Sequence, residues 1–477
     1  MQNTDTYQSP LCSRYASREM LSLFSQDTRT RTWRRLWTAL AEAERELGLP
    51  ITSEQVEELR AHIDDIDYDA IAKKEKEIRH DVMAHVYGFG LVCPKAKGII
   101  HLGATSCYVT DNADILIYRD ALTLVKDKLI GVIENLVGFA KEYRSLPTLG
   151  YTHFQPAQPV TVGKRACLWI QDIVMDVEEL LFVQDSLRLL GSKGTTGTQA
   201  SFLELFEDDH EKVRALDERI AAAFDMPGCY AVTGQTYPRK VDSRILNALS
   251  AIAQSAYRFA NDLRLLQHMH EVEEPFEKGQ VGSSAMAYKR NPMRSERICS
   301  LSRYVMANAQ NAAMTASVQW LERTLDDSAN RRISLPEGFL AVDAILNLLL
   351  NVTDGLKVYP AVIRKNLMEQ MPFMATENLL MEAVKCGGDR QALHEIIREH
   401  SMAAVARMKE EGGPCDLLER LVQDERFGLD RNALDDILDP SAYIGRAPEQ
   451  VSEYLQDIVR PLIREHGGRH MTAKIEV

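Results

Sequence analysis

The distribution of proline constrains the fold of this 477-residue chain more than any other feature. Four long stretches contain no proline: residues 95–146, 160–226, 239–274 and 293–335. Because proline breaks the interior of a helix, these stretches are where long helices can form. The chain is therefore expected to be built around long helices.

Apolar residues recur at every third or fourth position in three of these stretches, which is the period of an amphipathic helix. The three series run from Leu122 to Ala140, from Val162 to Leu187, and from Ile245 to Leu263. They predict three helices of roughly 30 residues, each about 45 Å long. Helices of that length commonly pack side by side into a bundle.

Shorter helices are expected at both ends of the chain. Residues 32–47 place one apolar stripe before Gly48 and Pro50, and Thr52 with Gln55 can form a capping box for the next helix. Beyond Pro360 the helices are again short. The predicted fold class is all-α, with an N-terminal helical domain (1–111), a central long-helix bundle (112–358) and a C-terminal helical domain (359–477).

Charge and composition restrict the partners and the compartment. The chain has 56 Lys and Arg against 69 Asp and Glu, a formal charge of −13, which argues against non-specific binding of nucleic acid or membranes. We expect no signal peptide in the polar segment 1–10, and the apolar stretch 339–352 is interrupted and short for a membrane span. Eight cysteines without a CxxC pair indicate reduced thiols. A cytoplasmic protein is predicted.

Four polar, glycine-rich segments stand where helices should meet, and loops on a rigid scaffold commonly carry function. They are HLGATS (101–106), THFQPAQP (152–159), GSKGTTGTQ (191–199) and GQVGSSAMAYKRNP (279–292). In the last of them Lys289 and Asn291 follow a Gly-Ser-Ser run that could close over an anion. Arginines that are dense in 290–297 and 323–332 suit a polyanionic ligand, although a solvated helix face is the alternative.

Patterns for metals and common cofactors are absent from the sequence. It contains no P-loop and no Rossmann fingerprint, and His394 begins HExxxxH rather than HExxH. His268 and His270, which lie near three glutamates, are more typical of a solvated helix end than of a metal site. No metal is expected.

Several motifs in order resemble one enzyme superfamily. GSSAMAYKRNP (282–292) is similar to the signature loop of the fumarase/aspartase superfamily, and THFQPAQP and HLGATS resemble its other two blocks. RHDVMAH (79–85), RTLDDSANRR (323–332) and LDPS (438–441) resemble the adenylosuccinate lyase family in particular. The resemblance extends from Ser13 to about Arg464. Ala287 replaces a proline of the signature, and we expect this change to affect loop closure but not the chemistry.

The resemblance implies an all-α homotetramer in which three subunits build each active site. It implies a C–N lyase of purine nucleotide biosynthesis that releases fumarate by β-elimination. Its two nucleotide substrates would be adenylosuccinate, which gives AMP, and the succinyl-carboxamide ribotide SAICAR, which gives AICAR. The reaction implied needs no metal and no organic cofactor.

The resemblance also implies catalytic roles. Ser283 would be the general base and His153 the general acid, with Glu296 orienting His153. Lys289 would stabilise the serine oxyanion, and His80 would act at the substrate phosphate or assist acid catalysis. The substrate contacts carried over by position are Arg14, Tyr15, Arg79, His80, Asp81, Thr105, Ser106, Gln235, Lys289, Asn291, Arg297, Arg323, Ser328 and Arg332.

Two other functions remain possible from the residues. The first is another lyase of the superfamily, such as a fumarase, aspartase or argininosuccinate lyase, against which the blocks at 79–81 and 323–332 argue. The second is an inactive structural protein on the same scaffold, as some lens crystallins are. The presence of both Ser283 and His153 argues against that alternative.

Overall fold

The computed structural model describes residues 5–277, 279, 285–286, 288–428, 437–467 and 471. Its α-helices are α1 (Arg18–Leu23), α2 (Gln26–Glu46), α3 (Ser53–Ala61), α4 (Tyr68–Ile78), α5 (Asp81–Val92), α6 (Ser106–Glu142), α7 (Val162–Ser186), α8 (Ala200–Leu205), α9 (His210–Ala222), α10 (Lys240–His268), α11 (Met293–Ser317), α12 (Asp326–Asp354), α13 (Pro360–Met374), α14 (Thr376–Lys385), α15 (Arg390–Glu410), α16 (Leu417–Gln423), α17 (Ala447–Tyr454) and α18 (Arg460–His466). Shorter helical turns are Leu11–Tyr15, Pro440–Tyr443 and Leu455–Val459. The strands are β1 (Pro147–Thr152), β2 (Gln155–Thr161), β3 (Val272–Glu273) and β4 (Lys357–Val358).

Five long helices form the centre of the molecule. Helices α6, α7, α10, α11 and α12 pack against one another, and their apolar faces share one continuous core. The three predicted apolar series lie on α6, α7 and α10, and nearly all of their members are buried. The all-α expectation is confirmed, with a long-helix bundle at its centre.

The N-terminal helices pack onto this bundle through α2, which contacts α6. Helix α2 buries Trp33, Leu36, Trp37 and Leu40, the stripe that the sequence places there. The predicted capping box is present at the start of α3, where Thr52 and Gln55 bond reciprocally to each other's backbone N–H groups.

The segment expected to be a polar loop at 152–159 is instead part of a β-hairpin. Strands β1 and β2 pair antiparallel, with Pro147 opposite Thr161 and Thr152 opposite Gln155. Two prolines fit into β2 because a two-stranded ribbon leaves one edge of each strand without a partner. At the tip, His153 and Phe154 adopt the left-handed conformation, with φ of 53° and 56°.

A second hydrophobic core lies in the C-terminal region. It is formed by α13 to α16, together with Leu149 from the hairpin. Helix α6 runs without a break through residues 111 and 112. The three domain boundaries remain predictions.

Helix α12 continues through Pro336, although the long helices were expected in proline-free stretches. Leu335 and Phe339 on either side of it are completely buried, so tertiary packing offsets the missing hydrogen bond. By length and composition alone α12 could cross a membrane, but 78% of its most apolar stretch is buried inside the molecule. All eight cysteines are free thiols, of which three are buried.

Candidate active site

Five of the predicted substrate residues line one cavity of about 310 Å³ between α2, α5, α6 and the start of α12. They are Asp81, Ser106, Arg323, Ser328 and Arg332. At the rim, Arg332 reaches across to Asp81 with an N–O distance of 3.4 Å. Residues 251 positions apart in the chain therefore line the same cavity, as the carried-over assignment requires.

The floor of this cavity is a buried network of charges that the sequence analysis did not identify. Arg239 bonds to Asp111 at 2.8 Å and to Asp327 at 2.6 Å, and all three side chains are at most 3% exposed. Asp327 also accepts from Arg323 at 2.8 Å. Burial opposes the ionisation of Asp327, but the neighbouring arginines outweigh it and keep its pKa below the ordinary value. Asp327 thus holds Arg323 at the cavity.

A second set of charges continues this floor beneath α12. Arg331 donates to Asp242 at 2.6 Å and to Asp114 at 2.9 Å. The Tyr237 hydroxyl donates to Asp242 at 2.6 Å, and the Tyr237 N–H donates to Asp111 at 3.0 Å. These bonds connect the N-terminal parts of α6, α10 and α12, and α6 and α12 carry Ser106, Ser328 and Arg332.

Close backbone packing places Gln235 beside this network. The N–H of Gln235 donates to the carbonyl oxygen of Glu322 at 2.9 Å, and its side-chain oxygen accepts from the Cys107 thiol at 3.5 Å. A Cβ on Gly234 would lie 2.4 Å from the Glu322 oxygen, and a Cβ on Gly197 would lie 1.9 Å from the Thr233 oxygen. Only glycine permits these approaches, so the Gly/Thr segment at 191–199 has a packing role next to Gln235.

Another three predicted residues, Lys289, Asn291 and Glu296, line a more open cleft of about 1120 Å³ at the end of α10. His268 and His270 line the same cleft. The predicted base, Ser283, lies outside the described residues.

His268 and His270 are exposed at the end of α10, as expected, but two of the glutamates next to them are buried. Glu271 is completely buried and Glu274 is 6% exposed. Glu274 accepts hydrogen bonds from the N–H groups of Arg294 and Ser295 at 3.1 and 3.0 Å, and burial raises its pKa. It anchors the first turn of α11, which carries Glu296.

The predicted acid, His153, is not among the residues that line these two cavities. It is exposed at the tip of the hairpin, next to a cavity of about 680 Å³ that is lined by Thr152, Phe154, Lys164 and Arg165. His153 lines none of these three cavities, and among the described residues no hydrogen bond or ion pair joins it to Glu296. The orientation of His153 by Glu296 stays a prediction.

The remaining predicted residues lie at the ends of helices. Arg14 and Tyr15 belong to the turn Leu11–Tyr15, where the guanidinium of Arg297 lies 5.5 Å from the centre of the Tyr15 ring.

Arg79 ends α4 in the left-handed conformation, with φ of 54°. His80 caps α5, since its Nδ1 accepts from the Met83 N–H at 3.3 Å. Thr105 immediately precedes α6. Among the residues that the structure describes, no three His, Cys, Asp or Glu side chains gather as a metal site would require.

The comparisons with known proteins agree with one another. A family model described as "Lyase" matches residues 13–307, and one described as "Adenylosuccinate lyase C-terminus" matches residues 372–454. The chain is 54% identical to the adenylosuccinate lyase of Saccharomyces cerevisiae, covering 96% of this chain and 95% of that protein. It is 52% identical to that of Schizosaccharomyces pombe, covering 95% of both.

Among solved structures, the 3-carboxy-cis,cis-muconate lactonizing enzyme of Pseudomonas putida superimposes with a TM-score of 0.80. The match covers 94% of this chain and 98% of that one at 23% identity, which supports the fold alone. Fold and family match together define a lyase of the fumarase/aspartase superfamily. Within that class, the chain belongs to the adenylosuccinate lyase family and is a C–N lyase.

Proposed function

We propose that the chain catalyses the β-elimination of fumarate from adenylosuccinate, giving AMP, and from SAICAR, giving AICAR. The observation that carries this proposal is the full-length similarity to adenylosuccinate lyases, combined with a cavity where arginines and hydroxyls from distant segments meet. Both substrates carry a phosphate and two carboxylates, and arginine with hydroxyl donors is the side-chain set that binds such anions.

The elimination requires two proton transfers on opposite sides of the breaking bond. Ser283 removes a proton from the carbon adjacent to the carbon that bears the nitrogen, and the electron pair of that C–H bond forms the double bond of fumarate. The C–N bond breaks, and His153 gives its proton to the departing nitrogen. An imidazole can hold and release a proton near pH 7, which suits that role.

Other residues support these two. Lys289 lines the second cleft together with Asn291, and its ammonium group can stabilise the ionised serine. Glu296 orients His153, and His80 serves the phosphate or assists acid catalysis. The residues proposed to bind substrate are Arg14, Tyr15, Arg79, His80, Asp81, Thr105, Ser106, Gln235, Lys289, Asn291, Arg297, Arg323, Ser328 and Arg332.

The distribution of these groups over different cavities supports a shared active site, and the family resemblance implies that it belongs to a cytoplasmic homotetramer. His153 is exposed on the hairpin, Glu296 lines the second cleft, and Arg323 lines the first cavity. We expect the hairpin of another subunit to bring its His153 to this carboxylate. Met175 and Phe182, each 59% exposed and two turns apart on α7, provide an apolar face for such packing.

Substitution of the two proposed catalytic residues tests the assignment. Ser283→Ala and His153→Ala should each lower kcat by at least about 100-fold, since general acid–base catalysis contributes on that scale. His210→Ala serves as the matched control because His210 is an exposed histidine that lines none of the three cavities. Near-normal turnover of a correctly assembled Ser283→Ala or His153→Ala variant would remove that residue from the mechanism.

A further inference from the structure

A buried ion pair joins two long helices of the bundle and also holds a third segment. Lys128 on α6 pairs with Asp343 on α12, and their side chains are 2% and 0% exposed. The Lys128 ammonium also donates to the side-chain oxygen of Asn347 at 2.8 Å. The third segment enters through Ser17, which immediately precedes α1.

Ser17 fills most of the remaining hydrogen-bonding capacity of this pair. Its backbone N–H donates to Oδ2 of Asp343 at 2.5 Å, and its hydroxyl donates to Oδ1 at 3.1 Å. The same hydroxyl accepts from Lys128 at 3.3 Å and from the Met20 N–H at 3.2 Å, so it also caps α1. Two independent bonds from one residue to one carboxylate fix both the position and the direction of the backbone.

The packing of α6 against α12 does not need a buried ion pair, because apolar side chains already fill the contact. Leu122, Leu129, Leu346 and Leu349 are completely or almost completely buried on the same helices. Burying two charges is costly, and a hydrophobic pair of similar volume commonly stabilises a protein as well or better. A hydrophobic pair could not form hydrogen bonds to Ser17, so the specific effect of this ion pair is to hold Ser17 in place.

The attached backbone leads directly to proposed substrate residues. Ala16 and Ser17 are extended, with ψ of 150° and 154°, so they form a short, straight link from Ser17 to Tyr15. The turn that carries Arg14 and Tyr15 packs against α12, and the Tyr15 ring lies under Arg297. A shift of Ser17 would move this turn relative to Arg297.

From this arrangement we infer that Lys128 and Asp343 are positioning residues for substrate binding, acting through Ser17 on Arg14 and Tyr15. The inference rests on the proposed function, because it takes Arg14 and Tyr15 to contact the substrate. The pair does not touch substrate itself. Its effect belongs to the binding of the substrate anion rather than to the chemical step.

Two substitutions test this role. Ser17→Ala removes the hydroxyl but keeps the N–H bond, and Asp343→Asn places amide hydrogens where two donors now point. With adenylosuccinate as the probe, each should raise KM, by about tenfold for the loss of one hydrogen bond to a charged group. The value of kcat should stay within about twofold. Asn135→Leu is the matched control, since Asn135 bonds α12 at Leu350 and Thr353 at 3.2 Å without contacting Ser17.

A double-mutant cycle separates positioning from general stability. Ser17→Ala should raise KM much less in an Arg14→Ala background than in the wild type, because the group being positioned is already gone. Equal effects in both backgrounds, or an equal KM increase from Asn135→Leu, would overturn the inference. If Asp343→Asn fails to fold, the Ser17→Ala cycle still decides.

The proposed function can fail separately from this inference. If Arg14→Ala and Tyr15→Phe leave KM unchanged, the turn does not bind substrate, and the assignment of those two residues is wrong. If Arg14→Ala raises KM and Ser17→Ala does not, only the positioning role is wrong.

Discussion

Glu44 is a carboxyl group that the fold buries without a hydrogen-bond partner for either oxygen among the described residues. It lies on α2 with 0% exposure, and burial raises its pKa from the ordinary value of 4.5 to about 9. Between those two pH values the folded protein holds Glu44 neutral, whereas the unfolded chain holds it ionised. The folded state therefore binds one more proton than the unfolded state in this interval. As a result, the free energy of unfolding is not reduced by this group below pH 4.5 and falls progressively as the pH rises to about 9.

The magnitude follows from the width of that interval. One pKa unit corresponds to about 1.4 kcal/mol, so the wild type loses about 1.4 kcal/mol of unfolding free energy per pH unit through this group. At pH 7 the accumulated loss is about 3 kcal/mol. For a cooperative unit of this length, the unfolding entropy is about 1 kcal/mol per kelvin, so the loss corresponds to about 3 °C in Tm.

The substitution Glu44→Gln removes the ionisable carboxyl group and keeps nearly the same side-chain shape. The buried amide has its own cost, but that cost does not depend on pH, so the pH dependence of the difference is diagnostic. The Tm of the variant minus that of the wild type should increase by about 3 °C between pH 6 and pH 8. Glu46→Gln is the control, because Glu46 is an exposed residue on the same helix.

The assay is thermal unfolding at fixed protein concentration and ionic strength, for both variants and the wild type. Glu46→Gln should show a difference that is flat with pH. A flat difference for Glu44→Gln as well would refute the reasoning, since it would mean that the carboxyl group is ionised inside the fold.

Three further predictions concern the active site. Mixing inactive His153→Ala and Ser283→Ala subunits should restore part of the activity, and no recovery after verified subunit exchange would contradict a shared site. Gly197→Ala should lower kcat/KM at least about tenfold, because its Cβ would overlap a backbone oxygen at 1.9 Å. Gly194→Ala, equally left-handed but with 3.6 Å of clearance, should be much milder, and similar losses would refute the packing argument. Asp327→Asn should destabilise the fold by about 3–5 kcal/mol and raise KM, as removal of one buried partner does; an unchanged Tm would contradict this.

The helices of the bundle could be predicted because their apolar period is local information. Leu122 and Leu136, for example, are both completely buried on α6, as their spacing indicates. The hairpin could not be predicted because Pro156 and Pro159 interrupt the strand pattern. Proline is tolerated at the unpaired edge of a two-stranded ribbon, but the sequence alone does not show that 155–161 has such an edge.

The buried charges could not be paired from the sequence, since their partners are distant in the chain. In the sequence, Asp343 interrupts an apolar stretch and argues only against a membrane span. In the fold, it bonds to Lys128 and to Ser17. Asp111 on α6 is a comparable signal, because it is a charge on the buried face of a long helix. A charge at such a position predicts a buried partner, but only the fold identifies Arg239.

The most direct test of the account is an absorbance assay of the purified protein with adenylosuccinate, without added metal or cofactor. Fumarate should be measured as the second product in the same reaction. The account predicts AMP and fumarate in equal amounts, with turnover lost in the His153→Ala variant. A folded, assembled protein that does not convert adenylosuccinate would contradict it.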